Sequence, residues 1–309
     1  RILVGLTRAA SITLTPASPV TLGGTAAPVS PMAPATVPAG AEVTFSIAGG
    51  TISWAFTPPG GATQVGQSAG PVVFGAQGAP VAPVITVSRA QGASASVAGR
   101  SYRGSMLVIP SGGTLLLANS VDIEDYVKST VGAEIPDGWH LECQKAQAVA
   151  VRTYAAYKVG LRNTGTYDDC EGRYCSVNEA DVRLWATDQV YRGIEEENPL
   201  SIAATDATRG MVLTYWSAPA ATFYHADAGV ATEEPPYVWA GGTALPYLSS
   251  VVDIPHESPY SSWTVLLTPS EVASGLSSLG IIPPALPDII AGCNPGVSGR
   301  WSGVMVRTS

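Results

Sequence analysis

The sequence predicts an α+β protein, a β-rich N-terminal region followed by a mixed region that holds a helix-turn-helix unit and further strands. Three observations carry this expectation. Residues 1–118 set short apolar runs between turn signals, residues 121–158 switch to the three-and-four apolar spacing of two consecutive helices, and strand-like runs resume after about residue 210. Gly (33) and Pro (25) are abundant while charged residues make up only 13%, which favours many short strands over a bundle of long helices. No ungapped alternation of strand and helix is present, which argues against a doubly wound parallel sheet. With 46% hydrophobic residues, 309 residues supply a core for one large domain or two ordinary ones.

In the N-terminal region the runs ILVGL, SITLT, EVTFSIAG, TISWAF, PVVFG, PVITVSRA, SYRGSMLVI and GTLLLANS read as strands. Residues 16–41, dominated by Pro, Ala, Gly, Thr and Val, fit either a linker or a string of edge strands, and are read as loops within a β region. A first helix starts at Asp122, an N-cap candidate. Its apolar stripe is Ile123, Tyr126, Val127, Thr130 and Val131, Glu134 is the next member, and Pro136 ends the run. A second helix is expected from about residue 141 to 158, with Ala146, Val149, Ala150, Thr153, Tyr154 and Tyr157 as its buried stripe and Lys145 and Arg152 on another face. The short turn at residues 136–139 brings this helix back toward Glu134.

Residues 160–198 are polar and turn-rich, and residues 200–209 read as a third helix ending at Gly210. MVLTYW, ATFYHAD, YLSSVVD and SWTVLL then read as strands. A helix near residues 270–276 opens with a serine cap and Glu271 in its first turn, and SGRWSGVMVRT reads as a closing strand. No internal repeat is found.

The net charge of -8 and pI near 4.9 leave no basic stripe to replace phosphate counterions, so nucleic acid is not the expected partner. A neutral or amphoteric polymer fits better. No run has the apolar length that spans a bilayer, and RILVGLTR lacks the ordered regions of a signal peptide, so the chain reads as soluble. Four cysteines, with Cys170 and Cys175 close together, fit either disulfides in an oxidising compartment or half of a metal site. Glu134 is the residue with the sharpest chemical implication. A carboxyl group at the end of a core-facing stripe is poorly solvated, which disfavours its charged form and lets it hold and donate a proton near neutral pH. The plain alternative is a helix-terminal carboxylate reaching solvent. Glu124 and Asp125 fit first-turn helix charges, and Glu142 an exposed one.

Several stretches occur in the order of a known pattern: ILVGL, Tyr102-Arg103-Gly104, Ala118-Asn119 through Tyr126, Gly132-Ala133-Glu134-Ile135-Pro136, and Lys145 through Ala155. They are followed by Gln189-Val190-Tyr191-Arg192-Gly193, Thr208 through Tyr215, Phe223 through Glu233, Tyr237-Val238-Trp239 with Leu245-Pro246-Tyr247-Leu248, and Ser298-Gly299-Arg300. Together these resemble the stage II sporulation protein D (SpoIID) family, which includes the LytB amidase enhancers. The resemblance covers most of the chain, although the insertion at about residues 16–83 is longer and more proline-rich than the family pattern. It divides the chain into a β-rich region at 1–118 and a SpoIID-like catalytic region at 119–309.

The resemblance implies an extracytoplasmic lytic transglycosylase, secreted or associated with the cell envelope, that acts on peptidoglycan glycan strands. Glu134 would be its catalytic acid. The alternative is a non-catalytic peptidoglycan-binding protein that enhances a cell-wall amidase. Arg152 and Lys145 match the arginine and lysine of the family's second helix, with roles in orienting Glu134 or binding an acetamido or lactyl group; a surface arginine and a solvated lysine are the plain alternatives. In the stretch 223–233, Asp227 and Val230 replace small or glycine residues, and Val230 restricts close approach of a sugar to the backbone. His225 is a candidate to bind substrate or support Glu134, or else a satisfied core histidine, and Glu233 is a second candidate for stabilising transition-state charge. Trp139, Tyr191 and Trp239 are candidate sugar-stacking platforms, or buried aromatics. Some family members hold zinc through histidine and cysteine; here Tyr174 precedes the second cysteine and zinc would need Asp168, Asp169 or a distant group, so no metal or other cofactor is expected. The preferred reading is a Cys170–Cys175 disulfide and a second bridge between Cys143 and Cys293, with two free buried thiols as the alternative to the latter.

Overall fold

The structure is a computed structural model that describes residues 1–24, 34–75, 82–92, 97–160, 184–186, 188–239, 242–253, 264–281, 285 and 287–308. It is an α+β protein whose chain divides into two units, Arg1–Phe223 and Tyr224–Ser309. The change from strands to helices near residue 118 lies inside the first unit.

The strands before the helices are β1 (Ile2–Ala9), β2 (Ser11–Pro16), β3 (Val20–Gly24), β4 (Ala35–Val37), β5 (Val43–Ala48), β6 (Thr51–Phe56), β7 (Gln64–Ser68), β8 (Val72–Gly75), β9 (Val84–Gln91), β10 (Ser101–Arg103), β11 (Ser105–Ser111) and β12 (Thr114–Val121). With the short β13 (Leu184–Trp185) they form two sheets, ordered β13-β1-β12-β11-β8-β3-β4 and β10-β9-β2-β5-β6-β7. Only the β1–β13 pair among them is parallel.

Period-two patterning sets the inward face of the six-stranded sheet. Ile12 and Leu14, Val43 and Phe45, Ile52, Trp54 and Phe56, and Ile85 and Val87 are buried, while Ser and Thr alternate between them. Phe45 meets Phe74 of the other sheet edge to face, with ring centroids 6.1 Å apart. On the opposite face of that sheet Val73, Leu107, Ile109, Leu116 and Ala118 form an apolar cluster against which Leu3 and Trp185 pack. This double coverage explains why β8, β11 and β12 are buried almost throughout, as their unbroken apolar runs require.

Two expectations for this region change. Residues 16–41 are not only loops: Val20, Leu22 and Val37 bury their side chains in β3 and β4, and β4 tolerates its flanking prolines because it lies at a sheet edge. The strand β7 has no apolar alternation to announce it and is held as an edge by backbone pairing to β6. The turn at Gly104, between β10 and β11, needs glycine for two reasons: φ is +90°, and the carbonyl of Ser120 leaves no room for a Cβ.

The helix α1 (Ile123–Glu134) begins where expected, with the Asp122 carboxylate accepting the Glu124 N–H at 2.9 Å. Tyr126, Val127, Thr130 and Val131 are buried, and so are Glu124 and Ser129. In α2 (Leu141–Gly160) the buried face is Gln144, Ala148, Val151, Arg152, Thr153, Ala155 and Ala156, whereas Ala146 is exposed and Val149, Ala150, Tyr154 and Tyr157 are half-buried. The expected stripe is therefore rotated, because the true inward row contains an arginine and a glutamine that apolar spacing does not count. A third helix, α3 (Pro199–Ala207), starts with Asn198 as N-cap in a reciprocal pair with Ser201, and packs with α1 and α2.

Beyond α3 the expected strand MVLTYW shrinks to β14 (Thr214–Tyr215), paired with β15 (Ala218–Pro219). ATFYHAD forms no strand. The Thr222 hydroxyl instead donates to the Ala150 carbonyl at 2.7 Å and Phe223 packs on Tyr154 with centroids 5.8 Å apart, so the segment follows α2.

The second unit contains the short helix α4 (Pro235–Val238), α5 (Pro269–Ser278) and the hairpin of β16 (Pro287–Pro295) with β17 (Trp301–Thr308). The closing strand is present. The α5 cap is Thr268, in a capping box with Glu271 and with Pro269 as the first helical residue, and not a serine. YLSSVVD is a 3-10 turn at Pro246–Leu248 plus a single bridge between Ala231 and Val252, and the described part of SWTVLL is not a strand.

Candidate active site

Glu134 is the last residue of α1 and is half-buried. Its Oε1 accepts the backbone N–H of Val190 at 2.7 Å. The turn that presents this N–H is itself tied down. Asp188 accepts the Trp185 N–H at 2.8 Å and Lys158 Nζ at 3.0 Å, and Gln189 accepts the Tyr126 hydroxyl at 2.9 Å. Thus α1 supplies the carboxylate, and α2 through Lys158 holds the 188–190 turn whose N–H meets it. Val190 escapes residue-by-residue reading because its contribution is a main-chain donor.

Below that turn lies a buried polar and aromatic hub. Tyr191 is sandwiched between Tyr102 and Tyr126, with centroids 5.6 and 4.8 Å away, and its hydroxyl donates to Asn119 Oδ1 at 2.7 Å. Asn119 Nδ2 in turn donates to the carbonyls of Arg103 and Ser105 at 3.0 and 3.2 Å. Burial pushes the Tyr191 phenol well above its usual range, and Tyr102 likewise. Tyr191 is therefore a core residue and not a sugar-stacking platform. The neighbouring Gly193 accepts the Ser129 hydroxyl at 2.7 Å. Arg103 pairs with Glu197 through two bonds of 3.1 and 2.8 Å, which raise its pKa further.

Arg152 does not serve Glu134 or a sugar. Its guanidinium is buried, pairing with Glu124 through Nε to Oε1 at 3.0 Å and Nη2 to Oε2 at 2.7 Å. The remaining donors go to the carbonyls of Ala148, Met211 and Thr205 at 3.3, 3.2 and 3.4 Å, so none is left for a ligand. Glu124, a first-turn charge of α1 as expected, also accepts the Gly210 N–H at 3.1 Å and is buried. Lys145 pairs at 2.7 Å with the exposed Glu142 one turn earlier, whose pKa is lowered by that hydrogen bond. Trp139, in the turn after Glu134, is 49% exposed.

The other candidates lie in the second unit. His225 is exposed, and Asp227 is half-buried with Oδ1 accepting the Gly229 N–H at 2.6 Å. Val230 and Trp239 are exposed. Glu233 is held by the turn between β16 and β17. Its Oε1 accepts the N–H of Glu234 at 2.9 Å and of Ser298 at 3.5 Å, its Oε2 accepts the Ser298 hydroxyl, and the carboxylate fills the space that a Cβ on Gly296 would need. Burial pushes its pKa up, but these hydrogen bonds and one from the Val297 N–H outweigh it and leave Glu233 below the ordinary carboxylate range. Arg300 adds bonds to the carbonyls of Ala231, at 2.6 Å, and Ala228. Glu233 is thus an anchor of the hairpin turn, which takes the place of the expected role in stabilising transition-state charge.

Cys143, exposed on α2, and Cys293, half-buried on β16, are both free cysteines, and the expected bridge between them would join residues of the two units. Cys170, Cys175, Asp168 and Asp169, on which the other disulfide and any zinc site would rest, lie outside the described residues.

Residues 111–215 match the family model described as SpoIID, stage II sporulation protein. The chain is 33% identical over 183 residues to an uncharacterized protein of Brachyspira hyodysenteriae, an overlap of 59% of this chain and 46% of that protein. It is 29% identical over 146 residues to the amidase enhancer of Bacillus subtilis, covering 47% of this chain and 17% of the relative. The chain therefore spans less than half the length of either relative. The matched segment runs from the end of β11 through α1, α2, α3 and β14, and so contains Glu134, its Val190 donor and the Arg152–Glu124 pair. By this match, and by the order of motifs around it, residues 111–215 of the chain are similar to the SpoIID family.

Proposed function

We propose that this chain is a peptidoglycan lytic transglycosylase in which Glu134 serves first as acid and then as base. The observation that carries the reading is a single carboxyl group at the end of α1, inside the matched family segment, oriented by the Val190 N–H at 2.7 Å. In its protonated form Glu134 donates to the oxygen of the β-1,4 bond between N-acetylmuramic acid and N-acetylglucosamine as positive charge develops at C1 of the muramic acid. The carboxylate then accepts the proton of the same sugar's C6 hydroxyl, whose oxygen attacks C1 and closes a 1,6-anhydro ring. No water needs activation, so a second carboxylate at the spacing of the paired-carboxylate hydrolases is unnecessary. The polymer is extracytoplasmic, and this is where the chain would act; no helix among the described residues is long and apolar enough to cross a membrane.

The test is Glu134→Gln, which keeps the size and one acceptor of the side chain but cannot donate a carboxylic proton. Incubation with glycan strands stripped of peptides and analysis by mass spectrometry should show anhydro-muramyl ends for the native chain and none for the variant. Equal release by the variant would end the assignment. The name of the Bacillus subtilis relative supports a second reading, a binding protein that stimulates an amidase. Retention on strands without new ends by the native chain would favour it.

A further inference from the structure

Among the described residues, the non-glycine positions with positive φ are Trp216 (49°), Ser217 (65°) and Asn294 (53°). The first two form the tip of the β14–β15 hairpin, where Thr214 faces Pro219 and Tyr215 faces Ala218. Two-residue loops with both residues left-handed ordinarily use asparagine or aspartate followed by glycine, because a larger side chain crowds its own backbone there. Tryptophan is an unfavourable choice for such a position. Nor does burial compensate, since Trp216 is 87% exposed. A strained residue that contributes nothing to the core points toward a surface role.

The hairpin is firmly mounted. Ala220 N–H bonds to the Leu213 carbonyl at 3.0 Å, Leu213 N–H to the Thr153 hydroxyl at 3.0 Å, and the Thr222 hydroxyl to the Ala150 carbonyl at 2.7 Å. Thr153 and Ala150 belong to α2, which packs on the helix that ends in Glu134. Tyr215 stands edge-on to the Trp216 indole, with centroids 6.1 Å apart and an interplanar angle of 86°.

We propose that the Trp216 indole, buttressed by Tyr215, is a platform on which a pyranose ring of the glycan stacks through its C–H face. The chemistry of the tip selects this occupant: residues 214–219 carry no charge, and the net charge of -8 disfavours polyanions and anionic lipid surfaces. The proposal deepens the reading of the chain as a glycan-acting protein, but it is tested separately from the role of Glu134.

The experiment places Trp216→Gly and Trp216→Phe in the uncleaving Glu134→Gln background and measures retention on peptide-free glycan strands and the unfolding midpoint. Glycine removes the indole and relieves the turn together, so retention should fall roughly tenfold while the midpoint rises by about 2–4 °C. Phenylalanine should restore part of the retention. Undiminished retention of Trp216→Gly, a lower midpoint, or a loss confined to binding of zwitterionic phosphatidylcholine vesicles would each overturn the proposal. If the native chain cuts strands and Trp216→Gly does so with unchanged KM, the platform fails and the Glu134 assignment stands. If the native chain does not cut but Trp216→Gly still loses retention, the platform stands without the transglycosylase.

Discussion

Arg152 illustrates why residue type and motif position do not by themselves assign a role. Its place in the second helix was legible, and an arginine near a proposed acid invites a substrate contact. What the sequence could not display is that Glu124, in the first turn of the preceding helix, lies opposite it and that all the donors of Arg152 are engaged inside the protein. A buried ion pair adds little over a well-packed apolar pair, but removing one partner strands the other charge. Arg152→Ala should therefore cost about 3–5 kcal/mol in urea unfolding, whereas the double replacement Arg152→Met with Glu124→Leu should recover much of that loss. Full stability of Arg152→Ala combined with lost glycan binding would return Arg152 to the substrate. Glu134 was more legible because Pro136 fixes the helix end and the stripe fixes the side on which the carboxyl emerges. Its main-chain donor was not, since a backbone N–H leaves no trace in residue identity.

At the scale of elements, caps and breakers were read more easily than faces. Asp122 and Pro136 bound α1 correctly, but the buried side of α2 was rotated because hydrophobic spacing passes over Gln144 and Arg152. The small Ala148 and Ala155 on the true inward row let the helix pack closely, and the two assignments differ measurably. Ala148→Leu should overpack the interface and cost about 1–3 kcal/mol. Ala146→Leu, on the solvent side, should stay within about 0.5 kcal/mol. Chemical unfolding of the two variants decides between the faces, and the reverse order would restore the original stripe. The same limit explains β7, an edge whose QVGQS sequence lacks apolar alternation and is held by its pairing to β6, and ATFYHAD, whose alternation is overridden by contacts to α2.

Across the whole first unit, separate sequence motifs meet in one place. Tyr102, Asn119, Tyr126 and Tyr191 come from three stretches of the chain, and their rings and hydrogen bonds build the hub beneath the 188–190 turn. No spacing rule places residues so distant in sequence side by side, so the hub was invisible until the sheets and helices were assembled. Its physical consequence is that much of the motif pattern specifies a brace, and the brace aims Val190 at Glu134. Tyr191→Phe tests this directly. It keeps the ring stack but leaves Asn119 Oδ1 buried without its donor, at a cost of about 1–3 kcal/mol. If the brace orients the proposed acid, the variant should still hold glycan strands with native affinity, form anhydro ends more slowly, and show faster amide exchange at Val190. Native turnover alongside loosened exchange at Val190 would separate the hub from the chemistry and reduce it to a stabilising core.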